Sequence, residues 1–161
     1  YDIMPSLVGS EMCIRDSAGA ARASSPTMIV RSSGTQPIAI EQDVVLARQT
    51  TRKLATECGM RLIDLTKLVT AVSELARNTM VYGGGGDMDW QVLDDSTRVG
   101  LRLTFRDEGP GIPDLKLAMT DGWTSGNGLG LGLTGAKRLV DEFELDTEPG
   151  NGTRITITRW T

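Results

Sequence analysis

Three groups of residues have types and spacings that can do chemistry. Glu74 and Asn78 stand four apart in SELARN, residues 73–78, so on a helix both side chains share one face. An amide oxygen there suits a hard Mg2+ ion, which prefers oxygen ligands and keeps several waters. A carboxylate one turn away can take, or orient, the proton of an attacking hydroxyl. The second group is DEGPGI, residues 107–112. Asp107 can accept from the exocyclic amine of a purine, and Gly109 and Gly111 let backbone approach a flat ring. The third is GNGLGLGL, residues 126–133, with glycines at 126, 128, 130 and 132. At a helix entry, exposed N–H groups and the helix dipole favour a polyphosphate. No Gly-Lys-Ser/Thr follows, so this is not a P-loop, and no strand leads directly into it as a dinucleotide fingerprint requires. Each group alone also fits a plain role: a polar helix edge, a strand-ending turn, a loop before a helix.

The elements that must position these groups can be read from periodicity. Pro37 to Gln42 alternates as a short strand, and Asp43 is expected to cap the helix that follows. That helix carries Val44, Val45, Leu46, Arg48, Leu54 and Ala55 and stops at Gly59. Asp64 is expected to cap a second helix, whose apolar positions Leu65, Leu68, Val69, Val72, Leu75, Ala76 and Met80 recur every three or four residues. It ends at the glycine run 83–86. Met88 to Val92 reads as a short strand, and Asp94, Asp95 and Ser96 as a turn. Val99, Leu101, Leu103 and Phe105 alternate with polar residues and mark the clearest strand, which runs into Asp107. A third helix is expected over Leu129, Leu133, Ala136, Leu139, Val140 and Phe143, with a strand near Phe143 to Asp146, a turn at 148–152 and a last strand through Ile155 and Ile157. The order β α α β β, loop, α β β predicts an α+β fold, one sheet covered on one side by helices.

Composition removes several function classes. The chain has 161 residues and no histidine, which excludes His-based general base catalysis, Ser-His-Asp triads and phosphohistidine chemistry within it. Lys plus Arg is 17 against 21 for Asp plus Glu, an acidic balance that argues against non-specific nucleic-acid binding. No apolar run approaches the ~20 residues of a membrane span. Cys13 and Cys58 form no disulfide framework, and the default compartment is a reducing cytoplasm. Residues 6–17, SLVGSEMCIRDS, resemble translated sequencing-adapter read-through. Residues 1–27 are therefore read as a non-native or disordered N-terminal segment, and 28–161 as one domain.

Taken together and in order, SELARN, DEGPGI and GNGLGLGL resemble the N, G1 and G2 boxes of the GHKL, or Bergerat-fold, ATPases. Gly152-Thr153 resembles that family's closing Gly-Thr. The wider match, through DEGPGIPDLKLAMTDGW and GLGLGLTGAKRLVDEFEL, resembles the anti-sigma factor serine/threonine kinases, most of all the RsbT-type switch kinases of the stressosome. The resemblance implies a Bergerat sandwich with a mixed, mainly antiparallel sheet and helices on one face. It implies ATP and Mg2+ as cofactors, Ser or Thr of STAS-domain proteins as substrate, and activation of a PP2C-type phosphatase as output.

Residue by residue, it implies Glu74 as catalytic base, Asn78 as Mg2+ ligand and Asp107 as the adenine anchor. Gly109 and Gly111 would shape the adenine pocket. Gly126, Gly128, Gly130 and Gly132 would cradle phosphates, and Thr153 would assist at the adenine. The segment from Ile112 to Gly126 would be a lid, with Thr124 and Ser125 near phosphate. Lys116, Lys137 and Arg138 are the basic residues from which a partner for the transferring phosphoryl group would come. Two alternatives stand beside the kinase: an anti-sigma factor that sequesters a sigma factor, and the catalytic ATPase domain of a histidine kinase.

Overall fold

The structure is a computed structural model, and it describes residues 27–112 and 132–161. Five strands form one sheet in the order β1-β2-β3-β5-β4. They are β1 (Ile29–Ile38), β2 (Gly86–Asp94), β3 (Val99–Asp107), β4 (Glu142–Thr147) and β5 (Thr153–Trp160). Every described pairing is antiparallel. Helices α1 (Glu41–Glu57), α2 (Leu62–Val81) and α3 (Gly132–Arg138) supply the apolar cover. The α+β sandwich expected from the sequence is present.

On β3 the alternation works as expected. Leu101, Leu103 and Phe105 are buried, and with Ile38, Met88, Leu145, Ile155 and Ile157 they meet Leu68, Val72, Leu75 and Ala76 of α2. The opposite face is polar: Arg106 pairs with Asp89 at 2.6 Å, Arg154 with Asp146 at 3.1 Å, and the Thr104 and Thr156 hydroxyls lie 3.2 Å apart. Among the described residues no helix is long and apolar enough to cross a membrane.

The first strand differs from its sequence expectation. It is β1, ending at Ile38, and not the segment 37–42. Ile38 is buried, but Ile40 lies 56% exposed at the N-cap of α1. Asp43 explains the shift. It sits in the third helical position and not at the cap, and its carboxylate reaches back to accept the N–H groups of Ala39 (2.9 Å) and Ile40 (3.1 Å). Val45 and Leu46 face outward; Val44, Ala47, Thr51, Leu54 and Ala55 form the buried stripe. The stop at Gly59 holds. Its φ of +87° permits a Schellman close, with Gly59 N–H on Thr56 O and Met60 N–H on Ala55 O, both at 3.0 Å.

Asp64 is likewise not a cap, because α2 starts two residues earlier. Its buried carboxylate instead bonds Arg61 at 2.8 Å and Arg159 of β5 at 2.5 Å. The third helix is shorter than its apolar pattern. Val140 and Phe143 lie beyond it, Phe143 within β4. The sheet takes this stretch: Asp141 N–H bonds Thr158 O at 3.0 Å, and the Asp141 carboxylate accepts Trp160 N–H at 2.7 Å.

Candidate active site

The site forms where the C-terminal turns of α2, the end of β3 and the start of α3 converge. Glu74 and Asn78 occupy one face of α2, as their spacing requires. Glu74 is buried, and its carboxylate accepts the backbone N–H of Gly132, the first residue of α3. Burial pushes this carboxyl above its ordinary range, and the Arg77 charge and the Gly132 N–H oppose the shift. A carboxyl shifted in this direction is a stronger base than a free one, as proton abstraction requires. Arg77 itself points to the α1 side, 3.4 Å from Glu41.

The last turn of α2 links this pair to Asp107. The Asn78 carbonyl accepts the N–H groups of Tyr82 (2.9 Å) and Gly83 (3.1 Å). Gly83 then packs on Asp107: a Cβ at Gly83 would lie 2.3 Å from the Asp107 carboxyl carbon. A Cβ on Gly109 would meet the Gly83 carbonyl at 2.7 Å, and one on Gly152 the Asp107 carbonyl at 2.2 Å. Gly83 therefore leaves the room in which this carboxylate sits, and Gly109 and Gly152 let the neighbouring backbone close around it. Asp107 accepts N–H bonds from Gly109 at 2.9 Å and from Thr153, its cross-strand partner on β5. Desolvation raises its pKa, and those two N–H donors hold it down.

The loop after Asp107 is fastened to the β4–β5 turn. Gly150 N–H bonds Pro110 O at 2.7 Å, and Ile112 N–H bonds the Thr147 hydroxyl at 3.0 Å. Gly111, at φ +76°, lies so close to Glu148 that a Cβ would stand 2.5 Å from its carbonyl. A recess of about 1280 Å³ opens beside Asp107 and Thr153 and runs onto the uncovered face of the sheet, past Arg106 and Arg154.

The geometry thus brings Glu74, Asn78 and Gly132 together at one end of the site, and Asp107, Gly109, Gly111 and Thr153 at the other. Gly126, Gly128 and Gly130 lie outside the described residues, as do Lys116, Thr124 and Ser125. Lys137 and Arg138 fall in the last turn of α3. Sequence reasoning missed Gly83 and Thr147. The glycine run was visible, but only as a helix stop, and Thr147 carries no spacing signal at all.

The residues fit a magnesium nucleotide. Asn78 offers a neutral oxygen beside an acidic group, the donor set of a cation held mainly by phosphate oxygens and water. At the other end the glycine cradle holds the Asp107 carboxylate, an acceptor that an exocyclic amine could meet.

Residues 63–160 match the family model described as histidine kinase-, DNA gyrase B-, and HSP90-like ATPase. The chain is 44% identical over 123 residues to the serine/threonine-protein kinase RsbT of Bacillus subtilis (strain 168), covering 76% of this chain and 92% of that protein. It is 33% identical over 129 residues to an anti-sigma F factor of Bacillus licheniformis, covering 75% and 86%. Among solved structures it resembles the RsbU and RsbW domains of a Mycobacterium tuberculosis protein, with a TM-score of 0.54 at 20% identity over 78% of this chain. The chain spans 32% of that structure, and at this identity the likeness speaks for the fold alone.

Proposed function

Since the chain belongs to the histidine kinase-, DNA gyrase B-, and HSP90-like ATPase family, and within it to the serine/threonine-protein kinases of the RsbT type, we propose that it transfers the γ-phosphate of ATP to a Ser or Thr of a STAS-domain partner. The observation that carries this reading is the buried Glu74 carboxylate, one helical turn from Asn78 and against the first residue of α3. Glu74 takes the proton of the substrate hydroxyl as that oxygen attacks phosphorus, and ADP leaves. Asn78 would hold the Mg2+ that accompanies ATP, and the ion would supply charge neutralisation at the phosphates. Asp107 receives the adenine amine, and Gly109 and Gly111 let the ring lie against backbone. Gly126, Gly128 and Gly130 would supply N–H groups to the phosphates; Gly132 would stand with them at the helix entry, its own N–H being given to Glu74.

When released from its STAS partners the kinase would activate a PP2C-type phosphatase, as a partner switch requires. We place this reaction in the cytoplasm. Incubation with labelled ATP, Mg2+ and a STAS protein encoded beside it tests the proposal. Label on Ser or Thr of the STAS protein is the expected result. No transfer, together with tight binding of a sigma factor, refutes it. That outcome would favour the second reading, a sigma-sequestering factor, which the likeness to anti-sigma F factors supports.

A further inference from the structure

Exposed apolar side chains gather where the start of α1 meets the end of α2. Ile40, Val45, Val81 and Tyr82 are each 42–56% exposed. The Glu41–Arg77 ion pair, at 3.4 Å, joins the two helices at this point. Val45 lies one turn beyond Glu41 on α1, and Val81 one turn beyond Arg77 on α2, so both flank the pair. Tyr82 extends the adjacent row. It is the C-cap of α2 and keeps helical dihedrals, so Glu74, Asn78 and Tyr82 follow one another at four-residue steps along one face. The apolar surface is therefore continuous with the face that carries the candidate base. Local structure favours other residues at two of these places. Ile40 is the N-cap of α1, where Ser, Thr, Asp or Asn would bond the first turn, and it makes no such bond. Val81 is β-branched and in the last turn of a helix, where a cation would suit the dipole.

We propose that Ile40, Val45, Val81 and Tyr82 form the docking surface for the protein substrate, and that this substrate carries apolar side chains beside its reactive Ser or Thr. The proposal rests on the kinase reading of Glu74. A hydroxyl carried by a protein reaches Glu74 only if that protein lies against the surface around it. A stable interface covers about 800 Å² of each partner, a disc of about 16 Å radius. Tyr82 is eight residues beyond Glu74 along α2, about 12 Å at 1.5 Å per residue, and falls within that disc. Single exposed apolar residues are ordinary, whereas a group of them beside a reactive side chain marks a partner surface. Val81 and Tyr82 are positioning residues: they seat the partner and touch no reacting atom. Their contribution appears in the KM for the protein substrate and not in the chemical step.

The test is steady-state transfer of label from Mg-ATP to the STAS protein encoded beside the chain, with the concentration of that protein varied. Val81→Ser combined with Tyr82→Ser should raise the KM for it about tenfold or more, as loss of an aromatic anchor does. The kcat, and the ATP affinity measured by calorimetry, should stay within about twofold. Val81→Ile with Tyr82→Phe keeps the apolar surface and should hold KM within about twofold. Leu62 and Ile63 are 74% and 58% exposed at the opposite end of α2; Leu62→Ser with Ile63→Ser should leave KM unchanged. If the Val81, Tyr82 double variant does not fold, Tyr82→Ser alone carries the same measurement. A folded serine variant with the wild-type KM overturns the proposal, as does an equal rise in KM for the Leu62, Ile63 variant. A loss of ATP affinity as large as the rise in KM also overturns it, because the surface then serves the nucleotide. A wild-type chain that transfers no label overturns the kinase reading itself, and that result appears without any substitution.

Discussion

Glu74→Gln separates the chemical role of Glu74 from its structural one. Glu74 is 7% exposed, and among the described residues its carboxylate is met by the Gly132 N–H and the Arg77 charge. Gln has the same shape, and its amide oxygen can still accept that N–H. The substitution removes a buried charge whose desolvation raises its pKa against the pull of those partners. Relief of such a functional charge is worth on the order of 1 kcal/mol, a rise in Tm of about 2–6 °C for a domain of this size. The sign can be checked against pH. The folded-state pKa lies above the unfolded one, so the wild-type chain loses stability as pH rises from the ordinary Glu range through the raised folded value. Gln does not titrate. The Tm gap should therefore be absent at acid pH, open across that window and stay constant above it. Phosphoryl transfer to the STAS substrate should fall about 10²- to 10⁴-fold, the usual share of a general base, while ATP affinity stays the same or improves. Differential scanning calorimetry across pH and a single-turnover transfer assay measure both. A variant that melts lower than wild type at neutral pH, or that keeps its transfer rate, would refute the assignment.

Asn78→Asp adds a second carboxylate one turn from Glu74 and should weaken Mg-ATP binding at least about tenfold. The fold should survive, because a negative charge near a helix C-terminus costs only about 0.3–1 kcal/mol; unchanged affinity by calorimetry removes Asn78 from the site. Gly83→Ala drives a methyl into Asp107, 2.3 Å from its carboxyl carbon, and overpacking of this kind costs about 1–3 kcal/mol. Thermal melts should show that loss together with a steep loss of ATP affinity, and normal affinity would mean that Asp107 does not need its present position. A chain beginning at Met28 should melt with the full chain, since the described fold begins with β1 at Ile29; a large drop in Tm would give residues 1–27 a part in the fold.

Different parts of the site were legible to different degrees, for physical reasons. The face shared by Glu74 and Asn78 follows from helical pitch alone, so spacing gave it away. Asp107 was legible because strict alternation on β3 delivers it to a strand end. The cradle around it was not, because Gly83, Gly109 and Gly152 come from three separate segments and only the fold brings them together. Thr147 was invisible because a hydroxyl that bonds backbone across a turn leaves no periodic trace. Element ends failed where side chains compete for them: Asp43 and Asp64 look like caps in the sequence, but each sits in the first turn of its helix. Asp43 bonds backward to the chain entering the helix, and Asp64 bonds Arg159 across the fold. β1 was misplaced because it is an edge strand, mostly exposed, so burial imposes little alternation on it.

The contacts at the far end of the sheet bear on the site as well. There Arg159 joins Asp64 at 2.5 Å and the Leu139 carbonyl at 3.0 Å, which ties the start of α2 and the end of α3 to β5. Beside it the Trp160 ring packs where Gly100 has no side chain, its indole N–H bonds Glu142 at 2.8 Å, and Arg98 lies 4.1 Å above the ring. The 20 residues of α2 span about 30 Å. That helix is fixed at its first turn by Asp64 and at its last by the packing of Gly83 on Asp107. A rod held at both ends has little freedom to rotate or slide, so the Glu74 and Asn78 side chains are set relative to Asp107 by the sheet. Side chains carried on an element restrained in this way are held more precisely than side chains on loops. On the proposed reading, α2 carries the groups for proton transfer and Mg2+, and the end of β3 carries the purine anchor.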